Sequence, residues 1–338
     1  MPAVNSGKIL VSGANGYIAV WVVKKLLEQG YSVRGTVRSE SKGTHLKEIF
    51  KEYGDKLEIV VEGAFDEAVK DVDAIEHTAS PFHLRANDPA ELIAPAVAGT
   101  GGILQSALKY GTSVKRVVVT SSCAAVLTAD PNPRVFTEDD WNELSVKEVE
   151  TKGSEASAFD KYRASKTLAE RAAWAFMKLN ADKLHFDLVV LNPPFVFGPT
   201  LHEVDDPENL NSSMHDWWSS VVKGRRDNTF LATIGSAWID VRDLAQAHVL
   251  GIQKEGAGGN RIIVSAGPWK WQDWVNAAHD IDSALPAGNT SYDPSKAVHL
   301  INYDVSKADK LLGLSYIGVK ESTKDMIAQF KEEGWIAT

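Results

Sequence analysis

Lys8-Ile-Leu-Val-Ser-Gly-Ala-Asn-Gly-Tyr-Ile-Ala19 runs from an apolar stretch through a glycine-bearing turn into a helical pattern. Ile9 to Val11 predicts a strand. Ile18, Val22, Val23, Leu26 and Leu27 fall on one face of the helix that follows, which Gly30 closes. Together they make the first βα unit of a dinucleotide-binding fold. Gly13 and Gly16 allow the tight turn that brings backbone N–H groups against a pyrophosphate at the positive end of the helix, and Ala19 is small enough for helix and strand to pack closely. A glycine turn alone would also suit an ordinary strand-to-helix connection. What separates the two readings is whether the chain continues as βαβ.

It does. Ser32–Val37 predicts a second strand, followed by the polar stretch Arg38-Ser39-Glu40-Ser41-Lys42. The end of this strand is where such folds read the adenosine ribose: an acid accepts from the 2′-hydroxyl, an arginine accommodates a 2′-phosphate. No acid occupies Thr36, Val37 or Arg38, so Arg38 and Lys42 point to NADPH. Leu57–Val61 predicts the third strand and Ala74–Thr78 the fourth, ending in the small residues Ala79-Ser80-Pro81 that leave room for a cofactor. Asp88-Pro89 opens a helix that runs to Tyr110, with a kink expected at Pro95. Val117–Thr120 predicts the fifth strand, continuing into Ser121-Ser122-Cys123.

A second informative stretch is Tyr162-Arg163-Ala164-Ser165-Lys166, expected to open a helix reaching Leu179. Tyr162 and Lys166 are one helical turn apart and project from the same face. An ammonium so placed lowers the pKa of a phenol and prepares it to hand a proton to a developing alkoxide. The spacing by itself is common on helix surfaces. It gains weight because it follows Ser122 in a chain already committed to a dinucleotide.

Composition bounds the function. The 338 residues include 36 basic and 45 acidic side chains, a net charge of -9 that offers no basic stripe for nucleic acid. The single cysteine, Cys123, excludes an internal disulfide framework and a cysteine-rich metal site, and fits a reducing compartment. Residues 1–10 have no signal-peptide core, and no run reaches the roughly 18 apolar residues of a membrane span. A cytoplasmic enzyme acting on a small molecule is expected, with no metal, no membrane and no nucleic-acid partner.

Residues 13–19, Thr120-Ser121-Ser122, Tyr162 to Lys166, Asn192-Pro193-Pro194-Phe195-Val196-Phe197-Gly198-Pro199 and Asp240-Val241-Arg242-Asp243 stand in an order and spacing that closely resemble the extended short-chain dehydrogenases/reductases. His77-Thr78-Ala79-Ser80-Pro81-Phe82 narrows the resemblance to the dihydroflavonol-4-reductase and cinnamoyl-CoA-reductase branch, and within it to fungal and yeast NADPH-dependent carbonyl reductases. The resemblance implies an α/β fold of Rossmann type, a doubly wound parallel sheet with a smaller, discontinuous C-terminal lobe. It places residues 1–199 and 233–265 in the nucleotide domain and 200–232 and 266–338 in the lobe that takes substrate.

Carried over residue by residue, the resemblance makes Ser122 the donor that polarises a substrate carbonyl. Tyr162 becomes the general acid, and Lys166 both tunes it and holds the nicotinamide ribose. Gly13, Asn15, Gly16, Tyr17 and Ile18 would line the phosphates, and Arg38 and Lys42 the 2′-phosphate. Thr78, Ala79, Ser80, Thr120, Pro193, Val196 and Ser213 would border the rest of NADP. The pocket wall would come from Phe82, Cys123, Leu127, Phe159, Phe195, Met214, Trp217 and Trp218, a wide apolar site for aryl ketones or keto esters. Two alternatives stay open on the sequence: a nucleotide-sugar epimerase or dehydratase of the same fold, and a non-catalytic NADP sensor. The segment from Val61 through Glu62, Gly63 and Ala64 is shorter than in the family, and Ala98 stands where many relatives carry an asparagine.

Overall fold

The computed structural model describes residues 3–61, 65–80 and 86–337. Its strands are β1 (Lys8–Ser12), β2 (Ser32–Val37), β3 (Leu57–Val61), β4 (Ala74–His77), β5 (Arg116–Thr120), β6 (Arg134–Phe136), β7 (Asp187–Asn192), β8 (Phe195–Phe197), β9 (Gly235–Asp240), β10 (Asn260–Ile263), β11 (Gly267–Lys270) and β12 (Ile301–Tyr303). Seven of them form one sheet in the order β10-β7-β5-β4-β1-β2-β3. Every pairing in it is parallel.

Val117 to Val119 in β5 and Leu188 to Leu191 in β7 are apolar without alternation because helices cover both faces of the sheet. Ile9 and Val11 pack toward the Tyr17–Glu28 and Val241–Gln253 helices, whereas Leu10, Ile75 and Val119 pack toward the Ala90–Tyr110 and Ala158–Leu179 helices. The strand order turns back between β1 and β4, so the crevice beyond Ser12 and His77 is the place where such sheets take ligands. The expected kink at Pro95 is not a break: one helix runs from Ala90 to Tyr110 through the proline.

The rest of the chain forms a three-stranded sheet, β11-β9-β8, and a parallel pair, β12 with β6. Both cross the boundaries read from the sequence, since β8 and β6 lie before residue 199. The Ser212–Trp217 helix continues as a π-helical turn over Trp218–Val222. Trp217, Trp218 and Trp274 are wholly buried. They meet their neighbours edge to face, as Trp238 does with Trp274 at 4.6 Å between centroids and Trp218 with Phe330 at 5.3 Å, the arrangement ring quadrupoles favour. One apolar cluster extends from Val11 and Trp21 through Phe197 and Trp238 to Phe330. Across it, Tyr17 Oη donates to the Gly198 carbonyl and Trp21 Nε1 to the Pro199 carbonyl, each at 2.9 Å.

Candidate active site

The glycine turn has the geometry of an anion cradle. Gly13 sits at φ +64, and a Cβ there would stand 3.1 Å from that of Ala79. Its N–H donates to Thr36 Oγ1 at 3.1 Å, and the Gly16 N–H donates to the Gly13 carbonyl at 2.9 Å. The Tyr17–Glu28 helix starts at exposed Gly16 with no side-chain cap, so its positive end is left open to an anion. Asn15 and Ile18 are half-buried beside it. Tyr17 differs from expectation, because its ring is buried and its hydroxyl is spent on Gly198. Only its backbone stands at the cradle.

Arg38 is exposed where β2 ends. Lys42 is exposed too, but its ammonium lies 3.7 Å from the Glu203 carboxylate. The two cations are therefore unequal. Glu62, Gly63 and Ala64, the shortened segment, lie outside the described residues. Ala98 is on the exposed side of its helix.

At the end of β4, Ser12 Oγ accepts from the Ala79 N–H at 3.1 Å and lies 2.9 Å from His77 Nδ1, while Thr78 Oγ1 donates to the Ser12 carbonyl at 2.5 Å. Burial and then the Lys166 charge pull His77 down to about 4, so its ring is neutral. At the end of β5, Thr120 Oγ1 lies 3.0 Å from His248 Nε2, whose Nδ1 is 2.6 Å from Glu76 Oε2. Glu76 and His248 have no exposed surface, and burial raises the Glu76 carboxyl above the ordinary range.

Ser157 Oγ caps the next helix by accepting from the Asp160 N–H, so the helix begins at Ala158, one turn earlier than the Tyr162 pattern predicts. Tyr162, one turn into this helix, is hydrogen-bonded to the Ser122 side chain. Ser122 Oγ also accepts from the Ala124 N–H at 3.0 Å and lies 3.4 Å from the Pro193 carbonyl. Lys166 Nζ donates to Ser80 Oγ at 2.9 Å.

The expected lowering of the Tyr162 phenol by Lys166 is not found. Burial pushes it up to about 12, the hydrogen bond with Ser122 acts the other way, and the Lys166 ammonium is turned to Ser80. Burial pulls Lys166 itself down to about 8, with the Glu170 carboxylate opposing. Tyr162 is thus a neutral phenol at neutral pH, the form that can donate a proton.

Pro193 is buried, and its carbonyl accepts from the Cys123 N–H at 2.9 Å. Ser213 Oγ donates to the carbonyl of buried Val196 at 2.7 Å. Of the expected pocket wall, Phe159 and Phe195 keep 56% and 36% of their surface exposed, near Tyr162 and Pro193 in the chain. Leu127 is nearly buried. Met214, Trp217 and Trp218 line no opening: the tryptophans pack on Trp274, Phe330 and Trp335, and all three residues have no exposed surface. Cys123 is 1% exposed, and its Sγ donates to the Asn192 carbonyl beside Phe136 and Ile263. Phe82 lies outside the described residues.

Sequence reading missed Glu170, Asn192 and Arg261, which meet behind Ser121 and Ser122. The signal for Glu170 was the next step of the same helical spacing, one turn beyond Lys166. Among the described residues, no cluster of His, Cys, Asp or Glu could hold a metal ion, and no helix is long and apolar enough to cross a membrane.

The sequence profile of the NAD-dependent epimerase/dehydratase family matches residues 9–267. The chain belongs to this family. The NADPH-dependent methylglyoxal reductase of Saccharomyces cerevisiae is 35% identical over 97% of this chain and 99% of its own. A ketoreductase of Aspergillus niger is 34% identical over 96% and 98%. The crystal structure of a yeast methylglyoxal/isovaleraldehyde reductase complexed with NADPH superposes with a TM-score of 0.84 at 32% identity, covering 97% of this chain and 100% of that one.

Proposed function

We propose that the protein is an NADPH-dependent carbonyl reductase that converts aldehydes or prochiral ketones to alcohols. The observation that carries the reading is the meeting of three groups at the mouth of a parallel sheet: Ser122, the neutral Tyr162 phenol hydrogen-bonded to it, and Lys166 one turn further on. NADPH, when bound, supplies the hydride. The open N-terminus of the Tyr17–Glu28 helix suits its pyrophosphate, and Arg38 suits its 2′-phosphate with Lys42 in support. Gly13 leaves the room that a Cβ would fill. Thr78, Ala79, Ser80, Thr120, Pro193, Val196 and Ser213 are proposed to border the remainder.

Ser122 donates to the carbonyl oxygen and fixes its orientation. Tyr162 gives its proton to that oxygen as negative charge develops there, so carbon gains the hydride and oxygen the proton. Lys166, one turn further along the helix and held by Ser80, is placed to bind the nicotinamide ribose. Exposed ring surface on Phe159 and Phe195 offers an apolar wall, which supports bulky aryl ketones or keto esters as substrates in addition to small carbonyl compounds. An exposed Arg38 at the ribose-reading position favours this over a nucleotide-sugar epimerase working on tightly held NAD.

The test is absorbance at 340 nm when NADPH is mixed with the protein and a panel of aryl ketones, keto esters and methylglyoxal. Loss of absorbance with any carbonyl compound is expected. No loss across the panel, with NADPH shown to bind, would overturn the reading in favour of a sensor.

A further inference from the structure

Tyr162, Lys166, Glu170 and Trp174 follow one another at single helical turns and share a face. Glu170 is 2% exposed, and both its oxygens are engaged. Oε2 accepts from Ser121 Oγ at 2.6 Å and from Asn192 Nδ2 at 2.8 Å. Oε1 accepts from Arg261 Nε and, at 3.4 Å, from Trp174 Nε1. Asn192 Nδ2 also donates to the Ser122 carbonyl at 3.1 Å. A single carboxylate on the helix of Tyr162 thereby grips Ser122 from both sides, through its neighbour's hydroxyl and through its own carbonyl.

Arg261 reaches in from β10, donating to the Glu138 and Asp140 carbonyls and lying 3.6 Å from the Trp141 ring centre. Such a buried ion pair returns little net stability, because desolvating both charges offsets most of their attraction. What it does supply is a fixed position. We infer that Glu170 is a positioning residue for the reduction proposed above, holding the strand end that carries Ser122 in register with the helix that carries Tyr162 and Lys166. The inference rests on that functional reading.

The charged or titratable groups around this cluster include Arg261 from β10, Glu138 from the segment after β6, Cys123 from the segment after β5, His77 from β4, and Tyr162 and Lys166 from the same helix. The Glu170 carboxylate opposes the burial that pulls Lys166 down, so removing its charge lowers the Lys166 pKa further. A loss of packing alone would leave the Lys166 titration in place.

The experiment compares parent, E170Q, E170D and S121A by kcat against pH with one ketone, together with KM for NADPH and circular dichroism. In E170Q, kcat is expected to fall about 10- to 100-fold, the scale of a small misplacement of reacting groups, with KM for NADPH nearly unchanged and the alkaline limb of the profile moved to lower pH. E170D keeps the charge but not the reach, so its kcat falls and its limb stays. S121A removes one tether without touching charge, and its kcat is expected to fall several-fold with the limb in place.

Parental kcat in E170Q, or a loss uniform across pH with the limb unmoved, overturns the role. If E170Q does not fold, S121A decides, and parental kcat in S121A overturns it. A parent that turns over beside an unaffected E170Q sinks this inference alone. A parent with no NADPH-dependent ketone reduction sinks the functional reading and this inference with it.

Discussion

Lys166 on the Ala158–Leu179 helix donates a 2.9 Å hydrogen bond to Ser80 Oγ, just past the end of β4, so the ammonium of the proposed site is anchored to the sheet. Its burial, which brings its pKa from 10.5 to about 8, makes it a stability determinant as well. The unfolded chain holds this proton up to a higher pH than the folded one does. Stability of the cofactor-free protein therefore rises with pH from about 8 to 10, above which the Tyr162 phenol opposes it. K166M should flatten that rise and stabilise the protein at pH 7 by up to roughly 3 kcal/mol. Urea melts at several pH values check this, and a parental slope in K166M would count against it.

Tyr162→Phe keeps the ring and removes only the proton donor. Turnover should fall by about 10²-fold or more, the scale of lost general acid catalysis, while NADPH still binds. Steady-state rates beside a fluorescence titration with NADPH make the comparison, and a near-parental rate would remove Tyr162 from the proposed mechanism.

Arg38 is exposed without a neighbouring carboxylate partner among the described residues, whereas Lys42 faces Glu203 at 3.7 Å. Arg38→Gln should raise KM for NADPH by about tenfold or more and leave KM for NADH nearly unchanged, since charge-assisted contacts to phosphate are among the stronger polar interactions. Lys42→Gln should do less. Equal shifts for the two cofactors in Arg38→Gln would make Arg38 a plain surface charge.

Cys123 is enclosed among Phe136, Ile263 and Leu127, and burial pushes its thiol above the usual range. The native protein should not react with a thiol reagent such as DTNB, and should release one equivalent in denaturant, there being one cysteine. A ring added by Cys123→Tyr has no room in this core and should cost about 1–3 kcal/mol by overpacking, not narrow a substrate pocket. Parental melting of that variant with altered ketone preference would restore Cys123 to the pocket wall.

The nucleotide half of the fold was legible because its signals are local: Gly13 and Gly16 in one turn, apolar strands of a few residues, helices with a clear face. Tyr162 and Lys166 were legible by the same rule, lying one turn apart. The roles of Trp217, Trp218 and Cys123 were not, because a large apolar side chain reads alike whether it faces a pocket or a core, and only the packing of Trp274 and Phe330 decides. The direction of the Tyr162 shift was also hidden. Spacing announces the lysine but says nothing of the burial that outweighs it or of Ser80 drawing the ammonium aside. Arg261 lies far along the chain from Glu170, and no short-range pattern joins them.

The bonds from Tyr17 to Gly198 and from Trp21 to Pro199 bear on how the chain is made. The Tyr17–Glu28 helix leaves the ribosome before the segment that completes it, and its two large donors find their acceptors only 181 and 178 residues later. At about 5–20 residues per second, that helix waits roughly 10–40 s with an apolar face and two hydrogen-bond donors uncovered. During synthesis the cradle for the dinucleotide is thus an early piece completed late, and a nascent chain stalled before residue 198 should expose it to chaperones and proteases.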